Sequence, residues 1–163
     1  MNKRPTAKRI RFLFDYNPDT GILTRRVTAG GQMRGDKVGC INDWGYIKVK
    51  VDQGTYQAHM LIWVWMTGKW PRKLVDHKDT DAANNKWNNL RLATRQQNSC
   101  NRKTKCDNVS GLKGVSKRKD GYVAVINTRG VYRYLGYFKD PNEAHAVYCA
   151  AAKKYFGEFA RFA

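Results

Sequence analysis

The stretch from Leu74 to Asn101 limits what this chain can fold into more than any other. It reads Leu-Val-Asp-His-Lys-Asp-Thr-Asp-Ala-Ala-Asn-Asn-Lys-Trp-Asn-Asn-Leu-Arg-Leu-Ala-Thr-Arg-Gln-Gln-Asn-Ser-Cys-Asn. The apolar-led piece Leu74 to His77 predicts a short strand. The Asp- and Asn-rich run that follows predicts a polar loop, because such side chains bond their own backbone in turns. Leu90 to Ala93 predicts a second strand. Thr94, followed three residues on by Gln97, is a capping-box signature that opens a helix and puts Asn98 in its first turn. Strand, loop, strand and helix would bring Asp76, His77, Asn89 and Asn98 into one small space. Adjacent residues of a regular strand point to opposite faces, so Asp76 and His77 serve one site only if the strand ends or twists at His77.

Charge sets the partner class. The chain of 163 residues carries a formal net charge of +18 with 42% apolar and 27% charged residues. That length suits one ordinary domain or two small ones, and that balance points to a polyanion before it points to any fold. The longest apolar run, Met60 to Met66, is far too short to span a bilayer. Met1-Asn2-Lys3-Arg4-Pro5 leads into more charge and not into the apolar segment of a secretion signal. A cytoplasmic protein without membrane partners is therefore expected. Cys40, Cys100, Cys106 and Cys149 form no C-x-x-C pair, which argues against structural zinc and for free thiols in a reducing compartment, with a Cys100–Cys106 bridge as the lesser alternative.

Before the central stretch, Ile10, Leu13 and Phe14 at helical spacing predict a short amphipathic helix over Thr6 to Tyr16. Asn17-Pro18-Asp19-Thr20-Gly21 is a turn. Leu23–Val27, Lys37–Ile41 and Tyr46–Val51 are expected to form a small antiparallel sheet. Ala58 to Thr67, apolar almost all round and closed by Gly68, predicts a buried helix, with Trp63, Trp65 and Trp70 adding to its core. His59 opens that helix and is a lesser site candidate. Beyond Asn101 a polar linker is expected. Leu112–Arg118, Tyr122–Thr128 and Val131–Phe138 then read as three strands around the turns at Lys119-Asp120-Gly121 and Arg129-Gly130. Asp140-Pro141-Asn142-Glu143 caps a last helix, whose Ala144, Val147, Tyr148, Ala151 and Tyr155 would cover one face of that sheet. From 101 to 133 nine Lys or Arg face two Asp, a net of +7, and alternation along strands would array them on one surface.

With Asp76-His77, Asn89-Leu90 before a strand and Asn98 on the next helix, the central stretch resembles the HNH, or ββα-metal, nuclease motif in the H-N-N form of phage homing endonucleases. The steps of twelve and nine residues between His77, Asn89 and Asn98 suit that family. It departs in ending on Asn rather than His, and in placing Lys78 where an aliphatic residue is usual. The resemblance implies His77 as general base, Asp76 and Asn98 as metal ligands, and Asn89 as the residue that braces the loop and orients His77. The chemistry agrees. Carboxylate and amide oxygens are hard donors suited to Mg²⁺, with Mn²⁺ as the alternative, and a mostly neutral imidazole can take a proton at pH 7. Lys78 would push the His77 pKa down if it came close.

Gly111-Leu112-Lys113-Gly114-Val115, Tyr134-Leu135-Gly136-Tyr137-Phe138 and Glu143-Ala144-His145-Ala146-Val147-Tyr148 resemble an AP2-type DNA-binding domain. Its sheet enters the major groove, and the positions matching that surface are Lys113, Lys117, Arg118, Tyr122, Arg129, Tyr132 and Arg133. Arg102 and Lys103 join them as basic candidates just after the helix. The fold expected is α+β. A nuclease domain over 1–103 comprises a β-rich part (1–56) and the HNH core (57–103), and a linker over 104–110 leads to an AP2-like sheet and helix over 111–163. The function expected is hydrolysis of double-stranded DNA, one strand per site, by a monomer or weak dimer needing one divalent metal ion and no small-molecule cofactor. The alternative is an AP2-like DNA-binding regulator whose HNH site has decayed. An RNA-binding protein is the weaker third reading, since no aromatic-stacking RNA-recognition motif is present.

Overall fold

The computed structural model describes residues 4–101 and 108–162. The expectations for Arg102, Lys103, Cys106 and most of the linker lie outside them. The chain forms two compact units, Met1–Thr94 and Arg95–Ala163. The boundary falls before the Arg95–Cys100 helix, and the linker expected over 104–110 lies mostly outside the described residues.

The first unit opens with α1 (Ala7–Leu13), whose N-cap Thr6 side chain accepts from the Arg9 amide. The helix stops earlier than expected. Phe14 and Tyr16 are buried while Asp15 and Asn17 are exposed, a period of two that makes Phe14–Asn17 a strand, β1. It pairs antiparallel with β2 (Ile22–Arg25) around the expected turn. The anticipated sheet is also rearranged. Only Cys40–Ile41 of the second segment is a strand (β3), beside β4 (Ile47–Val51) and β5 (Gly54–Gln57). The sequence had hidden β5 because it runs into the next helix without a polar break.

That helix, α2 (Ala58–Thr67), ends where the Gly68 amide donates to the Val64 carbonyl at 2.8 Å. Its Leu61, Ile62 and Val64 lie in a core with Ile10, Phe14, Leu23, Val49 and Val51, and Trp63, Trp65 and Trp70 pack around the margin. Each buried aliphatic side chain contributes about 1.5–3 kcal/mol of hydrophobic stabilisation. The indole N–H groups of Trp65 and Trp70 donate to the carbonyls of Phe14 and Pro5. Against this core lies the expected hairpin of β6 (Leu74–His77) and β7 (Leu90–Ala93).

The second unit contains α3 (Arg95–Cys100) and an antiparallel sheet in the order β10-β9-β8, formed by β8 (Val115–Arg118), β9 (Gly121–Thr128) and β10 (Val131–Phe138). The first of these is shorter than expected. It precedes α4 (Pro141–Phe156), where the Asp140 carboxylate accepts from the Asn142 amide at 2.9 Å. Ala144, Tyr148 and Ala152 of α4 are buried in the two clusters that also hold Val115, Ala124 and Ile126 of the sheet. Tyr155, expected on that covered face, stays exposed. Among the described residues no helix is long and apolar enough to cross a membrane, and Cys40, Cys100 and Cys149 are free thiols.

Candidate active site and basic surfaces

β6 ends at His77, and the chain turns at once, the Thr80 amide donating to the His77 carbonyl. Asp76 and His77 are both buried. Asp76 stands opposite Arg91 in the β6–β7 register, and the Arg91 Nε donates to its Oδ2 at 3.0 Å. The His77 ring packs edge-on to His59 at 5.0 Å between centroids, with Tyr46 tilted against both rings at 5.5 and 6.1 Å.

The loop after β6 is a run of side-chain-to-backbone turns. Asp79 accepts from the Asp81 amide, and Asp81 accepts from the Ala83 amide. Asn89 locks it: its Nδ2 donates to Asp79 Oδ1 at 2.9 Å and to the Asn84 carbonyl at 2.8 Å, while its Oδ1 accepts from the Asp79 amide. Burial works against the Asp79 charge, yet bonds from Asn89, the Asp81 amide and Asn84 hold its carboxyl below the ordinary range. The Lys78 ammonium donates to the Asn88 carbonyl at 2.7 Å.

The orienting contact expected from Asn89 is supplied by another residue. His77 Nε2 lies 3.0 Å from Oδ1 of Asn85, which is only 2% exposed. Nothing in the sequence separates Asn85 from the other loop amides. Asp76, His77 and Asn89 are thus gathered in the first unit, and Asn98 lies on α3 of the second.

His59 is 4% exposed. Burial, and then the like charge of His77, push its pKa down to about 3. The unfolded chain therefore binds a proton below about pH 6.5 that the folded chain refuses. Stability present above that pH is lost as pH falls, at up to about 1.4 kcal/mol per unit. The unfolding midpoint should drop between pH 7 and pH 5, and less so in His59→Gln. An equal drop in both proteins would contradict this origin.

In the second unit the expected DNA-facing residues do not share a surface. Residues opposite each other in register share a face. Tyr122 packs with Val115, Ala124 and Ala144, and Lys117 stands opposite it, so both lie on the α4 side. Arg133 stands opposite buried Ile126, bonds Thr128 Oγ1 at 2.7 Å and places its guanidinium 5.6 Å over the Tyr155 ring of α4. Arg118 and Tyr132 belong to the opposite parity, along with Tyr134, Tyr137, Ser116 and Asn127. Tyr132 and Tyr134 are 77% and 67% exposed. The parity is opaque in sequence because Lys117 and Arg118 are adjacent and equally basic. Lys113 and Arg129 line a cleft of about 870 Å³ with Arg95, and Tyr132 lines it too. There the Lys113 ammonium donates to the Cys100 carbonyl, and burial followed by the charge of Arg161 pushes its pKa down to about 8.

The sequence profile of HNH endonucleases matches residues 56–100, which run from the end of β5 through α3. Protein 3.8 of Escherichia phage T7 is 33% identical over 65% of this chain and 89% of its own length. An uncharacterised HNH endonuclease, L560, of Acanthamoeba polyphaga mimivirus is 37% identical over 69% of this chain. This chain belongs to the HNH endonuclease family. The HNH chain spans 59% of the mimivirus relative's length. A solved structure of DNA binding and cleavage by the HNH homing endonuclease I-HmuI overlaps 74% of this chain and 70% of its own, at 22% identity and a TM-score of 0.43.

Proposed function

We propose that this HNH protein is a metal-dependent DNA endonuclease that nicks one strand per site, with its second unit reading the duplex. The observation that carries the reading is a buried imidazole at the last position of β6, one residue after a buried carboxylate on the same strand. In the proposed reaction His77 takes a proton from water, the resulting hydroxide bonds to phosphorus, and the bond from phosphorus to the 3′ oxygen breaks. Asn89 keeps the loop around His77 in shape.

Asp76 is a hard oxygen donor of the kind Mg²⁺ or Mn²⁺ takes, so its donor chemistry fits a divalent ion. Asn98, on α3 of the second unit, enters as a further ligand by its place in the motif. Such an ion, when bound, neutralises phosphate charge and stabilises the leaving oxygen. Supercoiled plasmid should become nicked with Mg²⁺ and stay intact with chelator; cleavage at equal rate in both would refute the metal requirement.

One observation favours a second reading, a DNA-binding regulator with a decayed site: Arg91 already engages the Asp76 carboxylate. Binding without turnover under any divalent ion would select it.

The resemblance to an AP2-type domain, together with the charge of +18, supports the sheet face away from α4 as the duplex contact. Tyr132 and Tyr134 would lie along the groove and Arg118 would reach a phosphate or a guanine edge. If Arg118 meets a phosphate, Arg118→Ala should lower affinity and reduce the salt slope by about 0.9. Unchanged affinity in that variant, measured by titration at several salt concentrations, would remove this face from the reading.

A further inference from the structure

The turn between β3 and β4 carries an aromatic side chain that the core leaves out. Trp44 is 82% exposed, more than any other large hydrophobic side chain among the described residues. Trp63, Trp65, Trp70 and Trp87 are by contrast partly buried against the core of the first unit. An indole offers one of the largest apolar surfaces of any residue, and leaving it in water forgoes the stabilisation that burial gives.

The turn that presents it is firmly made. The Asn42 Oδ1 accepts from the Trp44 amide at 3.1 Å and from the Tyr46 amide at 2.9 Å. The Asn42 amide donates to the Tyr46 carbonyl and the Gly45 amide to the Asn42 carbonyl, both at 2.9 Å. The backbone beneath the indole is therefore fixed before any ligand arrives, which lowers the ordering cost of binding.

Its place in the unit points to the ligand. Gly45 backs onto the loop between β6 and β7, where an added Cβ would lie 3.8 Å from the Ala82 Cβ. Tyr46 packs against His59 and His77. Two residues of chain span at most about 7 Å, so the Trp44 backbone stands close to that cluster. On the same hairpin, β4 buries Val49 and Val51 and exposes Lys48 and Lys50. Among the described residues neither lysine is in an ion pair. An exposed indole near uncompensated cations suits a polyanion that carries flat rings, and suits poorly a second copy of a chain whose net charge is +18.

We propose that Trp44 is a DNA-contacting residue of the first unit, its indole stacking on a base beside the phosphate that enters the candidate site. This rests on DNA being the substrate, and it gives the first unit a grip on the duplex of its own. Every base has a π face, so the contact supplies affinity and placement along the strand without reading sequence. An apolar side chain wedged between base steps unstacks them and bends the duplex at that point. Lys48 and Lys50 hold neighbouring phosphates.

The test uses the intact chain with duplex DNA, first in chelator so that nothing is cut. Neutral acrylamide should quench a Trp44 share of the fluorescence in the free protein, and bound DNA should shield that share. Trp44→Ala should keep the wild-type thermal midpoint, because the side chain lies outside the core. It should lose roughly 10- to 100-fold in affinity, the scale of one base stacked on an aromatic ring. Its salt slope should be unchanged, since no phosphate contact is lost, whereas Lys48→Ala should lower the slope by about 0.9. Trp44→Phe keeps a ring and should recover most of the affinity; Trp44→Leu, apolar without a ring, should not. Full affinity in Trp44→Ala, or equal quenching with and without DNA, overturns the proposal. So does a DNA-free dimer, seen by sedimentation, that Trp44→Ala dissolves, since it would give this surface to a second copy. With Mg²⁺, kcat/KM for nicking should fall in parallel with affinity in Trp44→Ala. If the wild type binds DNA and shields Trp44 but never cuts under any divalent ion, the nuclease reading fails and the stacking contact stands.

Discussion

Replacing His77 by alanine should reduce strand cleavage by at least about 10²- to 10⁴-fold, the usual contribution of a positioned acid or base, while leaving DNA affinity intact. The affinity should survive because the basic cleft lined by Arg95, Lys113 and Arg129, and the face carrying Arg118, are built from the second unit. The ring is buried against His59, Tyr46 and Asn85. Alanine there leaves a hole as well as a missing base, so His77→Gln, closer in volume, is the companion variant. Nicking of supercoiled plasmid and equilibrium DNA binding, measured on the same preparations, separate the two effects. Full cleavage by either variant would remove His77 from the reaction.

The second large effect is on stability. Gly114 has φ +75°, and an added Cβ would meet Tyr148 ring carbons at 1.9 and 2.4 Å. Gly114→Ala should cost about 1–2 kcal/mol for the left-handed backbone and about 1–3 kcal/mol more for overpacking. A total of about 2–5 kcal/mol is a large share of the roughly 5–15 kcal/mol that holds an ordinary domain together. Gly111 is the control, since its φ of +67° is similar but no atom lies within 4 Å of the added Cβ. Gly111→Ala should carry only the backbone cost. Thermal unfolding of the two variants checks the difference; equal midpoints would mean that Tyr148 yields freely. If the second unit reads DNA, Gly114→Ala should also weaken binding, the reverse of the His77→Ala pattern.

The nuclease motif was readable because its signals are local. Leu74–His77 and Leu90–Ala93 are bounded by turn-forming residues, and both appear as the strands β6 and β7. The same holds for Asp140-Pro141 opening α4 and for Gly68 closing α2. Local signals failed where two periods competed. Phe14 fits the helical stripe of Ile10 and Leu13 on paper, but the pairing of Phe14 with Arg25 and of Tyr16 with Leu23 makes this segment a strand. The error mattered because Tyr16 is the residue whose hydroxyl holds Asn85, 69 positions away.

Residue chemistry in linear order determined the family motif, the polyanion-seeking charge and the identity of Asp76 and His77 as neighbours on one strand end, since each of these depends only on which side chains stand near each other along the chain. Tertiary structure alone decided that Asn85 and not Asn89 meets the imidazole, that Arg91 engages Asp76, and that Arg118 and Arg133 lie on opposite faces of a sheet. The physical reason is that burial and strand register are set by partners distant in sequence. A loop amide meets the imidazole only when the chain around it is folded, and a shift of one residue in pairing sends every side chain of a strand to the other side.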